Sequence, residues 1–389
     1  MNALNVPANK RSVFSITLLM TFILMTFVLQ KPVLLIGGAV ICAVYACICF
    51  QFSTFRNKDL SWFLVVCIFF LPGMTKYSHG LSPFFYFFST IAIFFAAKAA
   101  SRYPPQVFLI SFRIIYTVAV TGIAYALYVY WDMPEPLGEV IEGSSANGIP
   151  AYLIVMQVSL SLCNYVVLQK LPVLSPIITA IVAFFGYGRG SLVVAGLLVM
   201  FTLLFNLSLS HASSRRYKVF LTVFLLGLAI AVVGNYDQIE EAMNLYTKLG
   251  AGLVDQNRLE IWGQYLEKIN LWTLLIGADY TGTVIELQYA SNPHISFVRT
   301  HALFGLPITL LALFSPLIVF FTDKAWSAKL IFATFIGLLM MRAMSEPILF
   351  PTLLDFFFFL NLFLFFRYVP KCESAFRVHR ELSSNSAIV

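Results

Sequence analysis

The chain has 389 residues, of which 60% are hydrophobic and only 11% charged, with 39 phenylalanines and a mean hydropathy of +0.85. A soluble globular domain cannot hide that much apolar surface, so the composition excludes one and points to an integral membrane protein. The net charge of +7 reads as an orientation signal and not as a nucleic-acid surface.

A bilayer core takes about 20 apolar residues per helix. About 12 such runs follow one another, near 12–30, 32–50, 60–74, 83–98, 106–130, 148–168, 172–186, 190–209, 218–234, 298–321, 327–343 and 349–368. Alternating polarity within them is too weak for barrel strands. The expected fold is an all-α polytopic membrane protein, a single membrane domain over residues 1–389 with one large external loop at 235–297. The third and seventh runs are short enough to be tilted, broken or partly re-entrant. Lys10-Arg11 precede the first run, which lacks a small-residue cleavage site and is expected to stay as a retained first helix.

With both termini in the cytoplasm, Lys and Arg divide as 16 cytoplasmic, 8 external and one, Arg113, within a span, as the positive-inside rule prefers. Cys42, Cys47, Cys49, Cys67 and Cys163 fall in or beside spans and Cys372 in the tail, so none is placed for an external disulfide or a zinc site. No internal repeat supports a transporter of two matching halves.

Two external loops interrupt the spans. Residues 131–147 carry Asp132, Glu135, Glu139 and Glu142 without a basic residue; this is either a solvated acidic loop or a lid or acceptor-sugar contact. In the longer 235–297 loop, Asn257 and Glu260 have the spacing of a capping box. Leu259, Trp262, Leu266 and Ile269 recur there at helical spacing, predicting an amphipathic helix along the membrane surface.

The candidate chemistry sits on scarce cations. Arg189 lies in Gly186-Tyr187-Gly188-Arg189-Gly190-Ser191, a turn whose glycines free backbone N–H groups for an anion. Arg258 falls in the first turn of the loop helix, where the macrodipole is already positive, so it gains nothing as a helix stabiliser and suggests an anion site. Both arginines also have a plainer reading as headgroup anchors. Ser291, Asn292 and Pro293 read as a helix start, which puts His294 in a first turn where imidazolium is disfavoured and the neutral ring accepts a proton. His301 lies two turns further on the same face, and Arg299 points elsewhere.

Arg342 and Glu346 have the i, i+4 spacing of an ion pair, with Arg342 a candidate addition to the anion site. Arg113 and Asp355, both within spans, are expected to pair with each other or to line a cavity. Arg299, His301, Arg342 and Trp262 are further candidates for contact with a diphosphate or glycan. The set describes a polytopic enzyme that grips a phosphorylated, lipid-linked molecule with arginines and deprotonates a second substrate. Glycosyl transfer from a polyprenyl diphosphate fits it. No external carboxylate cluster asks for a metal, so no cofactor is expected.

Three segments, in order between residues 186 and 305, carry a family resemblance: Gly186-Tyr187-Gly188-Arg189-Gly190-Ser191, Asn257-Arg258-Leu259-Glu260-Ile261-Trp262 with Leu274-Leu275-Ile276-Gly277, and Asn292-Pro293-His294-Ile295-Ser296-Phe297 with Gly305. They are similar to the S-R-G turn, the R-x-x-x-W…G stretch and the P-H-N-S-F/L…G motif of the O-antigen polymerase and O-antigen ligase superfamily of bacterial envelopes. Gly188 stands where the first motif carries Ser or Thr, and Ile295 where the third carries Asn.

The resemblance implies a GT-C-like fold in the bacterial inner membrane with a periplasmic active site. It also implies an undecaprenyl-diphosphate-linked oligosaccharide as donor, and Arg189, Arg258 and His294 as catalytic groups. A polymerase passes the growing chain to a lipid-linked repeat unit, with a chain-length regulator as a candidate partner; a ligase passes it to lipid A-core. The third segment looks more like a polymerase. A lipid-oligosaccharide flippase is the rival of another class. It would hold its cations in a central cavity among the spans, whereas here they gather in one loop and one turn.

Overall fold

The computed structural model describes residues 9–29, 31–49, 57–75, 80–133, 135–140, 146–209 and 256–371, with five isolated residues between 219 and 241. Apart from those positions, the expected span at 218–234 and the 235–255 part of the long loop lie outside the described residues, as do Glu142 and the tail from Cys372.

Helices α1 (Lys10–Val28), α2 (Pro32–Cys49), α3 (Asn57–Met74), α4 (Ser82–Ala100), α5 (Pro105–Val129), α6 (Gly148–Leu168), α7 (Leu174–Phe185) and α8 (Arg189–Leu209) come first. Three short helices follow in the loop, α9 (Gln256–Glu267), α10 (Leu271–Ile276) and α11 (Val284–Leu287). The chain then runs through α12 (Ser296–Phe304), α13 (Leu306–Phe314), a 3₁₀ turn (Ser315–Phe321), α14 (Trp326–Ala343) and α15 (Asp355–Tyr368). Among the described residues there is no strand, only an isolated antiparallel bridge between Lys324 and Lys371. Among the described residues, seven helices (α1, α2, α4, α5, α6, α8 and α14) are long and apolar enough to cross a membrane, alongside shorter apolar stretches at Leu64–Met74, Leu174–Phe185 and Leu306–Phe321.

Helix α6 is the axis of the bundle. It is apolar on every side and buried from Gly148 to Val166, as a helix without a polar face must be. Around it pack α5, α7, α8, α14 and α15. Its few polar side chains find partners: Gln157 Nε2 donates to Ser161 Oγ at 2.9 Å, Asn361 Nδ2 on α15 donates to Ser159 Oγ at 3.0 Å, and Arg113 Nη2 on α5 donates to Asn164 Oδ1 at 3.0 Å. Arg113 therefore does not pair with Asp355. The fully buried Asp355 carboxylate accepts the backbone N–H groups of Phe350 and Thr352 at 2.8 and 2.9 Å.

Two of the expected spans are not continuous. The run 298–321 breaks at Gly305, whose φ of +77° ends α12; α13 restarts with Pro307 in its first turn and gives way to the 3₁₀ turn at Pro316. The run 349–368 becomes helical only at Asp355, because the chain first turns through Pro351 and the Asp355 carboxylate holds that turn.

The break at Gly305 has a packing cause. A Cβ on Gly305 would lie 1.9 Å from the Leu275 carbonyl oxygen, and one on Gly277, where φ is +94°, would lie 2.2 Å from that of His301. The end of α10 and the end of α12 thus cross backbone on backbone, which only glycine permits. Beside this crossing, Ile261, Tyr265, Tyr280, Ile285, Ile295 and Val298 form a small separate core that ties the loop to α12.

Candidate functional site

The turn between α7 and α8 places Arg189. Tyr187 adopts φ +54°, and Gly186 and Gly188 seat the turn against the start of α6. A Cβ at Gly186 would lie 2.2 Å from Pro150 Cγ, and one at Gly188 only 1.6 Å from Asn147 Oδ1. The glycines are thus needed for close approach. Asn147, the residue just before α6, fills the space that a side chain at position 188 would take.

From there a polar network runs inward. Arg342, fully buried at the end of α14, donates from Nε to Ser191 Oγ at 3.0 Å, from Nη1 to Ser345 Oγ at 2.7 Å and from Nη2 to Asn147 Oδ1 at 3.0 Å. Ser191 Oγ in turn donates to Asn147 Oδ1 at 3.1 Å, and Asn147 Nδ2 donates to Glu346. Glu346 Oε1 lies 3.3 Å from both Arg342 Nη2 and Arg258 Nη2. The expected Arg342–Glu346 ion pair is therefore present and extends to a third member. Arg342 stands behind the site as a support: it is fully buried, and its Nε, Nη1 and Nη2 are all engaged by Ser191, Ser345 and Asn147.

Among the described residues helix α9 runs Gln256–Glu267, so Asn257 is itself helical and is not its cap; Glu260 accepts from Gln264 Nε2 at 2.9 Å. A capping box does occur nearby, between Asn270 and Thr273 at the start of α10. The buried face of α9 is Ile261 and Tyr265. Of the expected stripe, Leu259 and Leu266 are more than half exposed, while Trp262 and Ile269 pack on the small loop core. Trp262 is thus a packing residue there.

His294 precedes helix α12, which starts at Ser296. Ala290, Ser291 and His294 all have positive φ, that of His294 being +52°. Asn292 Oδ1 accepts the His294 backbone N–H at 3.2 Å, so the Ser-Asn-Pro segment makes a local turn and not a helix start. His294 therefore stands ahead of the first helical turn and not within it. Its ring stands edge-on to Tyr289 at 5.0 Å.

His301 is not on a shared face with His294. It is buried, with Nδ1 2.7 Å from the Tyr265 hydroxyl and Nε2 2.9 Å from the Leu274 carbonyl oxygen. A carbonyl only accepts, so Nε2 carries the proton. Burial pushes the Tyr265 phenol well above its ordinary value, so the hydroxyl keeps its proton and donates it to Nδ1. Both ring nitrogens are occupied, and His301 is structural.

One cavity of about 350 Å³ joins the remaining candidates: Arg189, Arg258 and His294 line it together with Asn147, Tyr289 and Glu346. Arg189 and Gly190, the first residues of α8, stand at its wall, with Asn147 just ahead of α6 and Asn257 and Arg258 of α9, and helix N-termini favour anions. Glu135 of the acidic loop reaches it too. Arg299 does not; it donates to the Tyr86 hydroxyl at 2.8 Å and lines another cavity. Among the described residues no three His, Cys, Asp or Glu side chains gather as metal ligands would. Asn147 and Tyr289 escaped sequence reasoning. For Asn147 a signal existed, an Asn-Gly ahead of an apolar run with proline in its first turn.

Comparison with protein-family models, curated proteins and solved structures finds no match to this chain.

Proposed function

We propose that this chain is a metal-independent glycosyltransferase of the O-antigen polymerase kind. It would transfer a growing undecaprenyl-diphosphate-linked polysaccharide onto a lipid-linked repeat unit at the periplasmic face of the inner membrane. The observation that carries the reading is the convergence on one cavity of Arg189, Arg258 and His294, which lie on separate elements. In this reading Arg189 and Arg258 hold the diphosphate and stabilise the charge that develops as the anomeric carbon–oxygen bond breaks. His294 takes the proton of the acceptor hydroxyl as the new glycosidic bond forms. Glu346 keeps the Arg258 guanidinium oriented at the cavity wall.

The polysaccharide of a deletion strain tests the assignment. Lipid A-core capped by a single repeat unit is the expected outcome. Uncapped core with long lipid-linked polymer accumulating would make the chain a ligase, and unchanged polysaccharide would remove it from this pathway.

A further inference from the structure

Arg113 stands where a membrane helix rarely carries charge. It lies about 12 Å along α5 from the helix start at Pro105, and it is exposed. Ile110, Ile114 and Val118 around it are exposed as well, so this is the lipid-facing side of α5. Charged residues within spans ordinarily turn to the bundle interior, because an uncompensated ion in hydrocarbon is costly. Among the described residues the Arg113 guanidinium has one hydrogen-bond partner, the neutral Asn164 Oδ1 at 3.0 Å. No carboxylate among them stands within ion-pair distance of it.

The bundle is notched beside this arginine. Helices α6 and α7 are level at one end, where a Cβ on Gly186 would lie 2.2 Å from Pro150 Cγ. From Pro150 to Leu168, α6 runs on for about 27 Å, whereas α7 from Phe185 back to Leu174 covers only about 17 Å. The connection 169–173 therefore climbs about 10 Å along the bundle before α7 starts. Gln169 turns the chain back at a φ of +53°. Asn206 on α8 clamps the climb, accepting the Leu171 N–H and donating to the Leu171 carbonyl oxygen, both at 2.9 Å. Tyr116, about one turn beyond Arg113 on α5, donates to the Ser175 carbonyl oxygen at 2.6 Å. The start of α7 is thus deeper in the bundle than Arg113.

A second cation belongs to the notch. Lys170 is exposed on the climbing connection, and Asn164 joins it to Arg113, since Asn164 Nδ2 donates to the Lys170 carbonyl oxygen at 2.7 Å. Leu174, Ile177 and Ile181 are exposed on α7, so the notch opens toward lipid and not toward another part of the bundle. The counter-charge must come from the membrane. A zwitterionic headgroup already balances its own phosphate, whereas a net negative one gains from each basic residue it meets. A second copy of the chain, packed about a two-fold axis along the membrane normal, would set the same cations against one another.

We propose that Arg113 and Lys170 hold the headgroup phosphate of an anionic glycerophospholipid, whose acyl chains lie along Ile110, Ile114 and Leu174. The site is at the opposite end of α7 from the turn that carries Arg189, and it stands independently of the reaction proposed above.

The test is native mass spectrometry of the full chain, delipidated in detergent and titrated with phosphatidylglycerol or phosphatidylcholine. One phosphatidylglycerol is expected to bind in preference to phosphatidylcholine. Arg113→Gln should weaken that binding about fivefold, and Arg113→Gln combined with Lys170→Gln about thirtyfold, the loss for one and two basic contacts with an anionic headgroup. Arg215→Gln combined with Arg216→Gln removes as much charge elsewhere and should leave it unchanged. Parent-like binding by the Arg113 and Lys170 double variant overturns the proposal, as does equal binding of phosphatidylcholine. A lipid-free dimer that Arg113→Gln dissociates also overturns it, by making the notch an interface between copies. Should Arg113→Gln not accumulate, Lys170→Glu decides, because its exposed side chain can be reversed in charge without disturbing the core. Retention of the phosphatidylglycerol preference by that variant refutes the site.

Discussion

At the scale of single residues, the two histidines of one segment have opposite surroundings. His294 is half-buried at a cavity wall, while His301 is enclosed with both nitrogens engaged. His294→Ala should therefore lower in vitro elongation of lipid-linked repeat units by about 10²–10⁴-fold, the range for one positioned proton acceptor, with thermal stability unchanged. His301→Ala strands the Tyr265 hydroxyl and the Leu274 carbonyl and should cost about 1–3 kcal/mol, read as a lower melting temperature in detergent. A larger catalytic loss at position 301 in still-folded protein would reverse the two roles.

The arginines separate in the same manner. Arg342 is fully buried against Glu346, so Glu346→Gln leaves a buried guanidinium without its counter-charge and should destabilise by about 3–5 kcal/mol. Arg258 is about a quarter exposed, so Arg258→Gln should change stability by less than about 1 kcal/mol while polymer output falls. Equal melting temperatures for the Glu346 variant and the parent would show that the network does not hold the site.

At the scale of elements, the crossing of α10 and α12 makes the strongest demand on sequence. Gly277→Ala and Gly305→Ala each drive a methyl into a carbonyl oxygen at a positive φ, and both should abolish folded protein on size exclusion. Gly196→Ala and Gly337→Ala, where a Cβ meets nothing within 4 Å, should stay within about 1 kcal/mol of the parent. Sequence reading found the apolar run after His294 but not its interruption. An isolated glycine in such a run is compatible with a straight helix, and only the partner backbone of Leu275 forces the break. Similarly, α9 was legible as a helix but its inward face was not. Leu259 and Leu266 make one apolar stripe and Ile261 and Tyr265 another, and spacing alone does not say which meets the loop core.

At the scale of the whole molecule, hydropathy made the helical membrane character legible, because each apolar run is a local property. Hydropathy does not mark where a helix starts inside an apolar run: 349–368 opens on Phe350 at positive φ and Pro351 and is helical only from Asp355. The convergence of Arg189, Arg258 and His294 could be argued from the scarcity of charge, since a cation at an apolar boundary needs a reason. The role of Asn147 could not, being set by contacts with positions 188, 191, 342 and 346. Orientation is open to direct test: cysteines placed at Gln256 and Ser384 should label from opposite sides of intact cells, with position 256 reacting outside. Labelling of both from one side would overturn the proposed topology and move the cavity to the other face of the membrane.

The Asn147 amide occupies the room that Gly188 leaves empty, which makes the two positions genetically dependent. A hydroxyl-bearing residue at 188 collides with Asn147, and a smaller residue at 147 opens a hole beside Gly188 and strips Arg342 and Ser191 of an acceptor. Gly188→Ser and Asn147→Ala should each impair the protein, yet the double variant should recover part of the loss, because the new hydroxyl enters the vacated space. Such sign epistasis, measured as a non-additive double-mutant cycle, implies that this turn tolerates drift only by paired exchange. A suppressor screen begun from Gly188→Ser should return changes at codon 147 before any other.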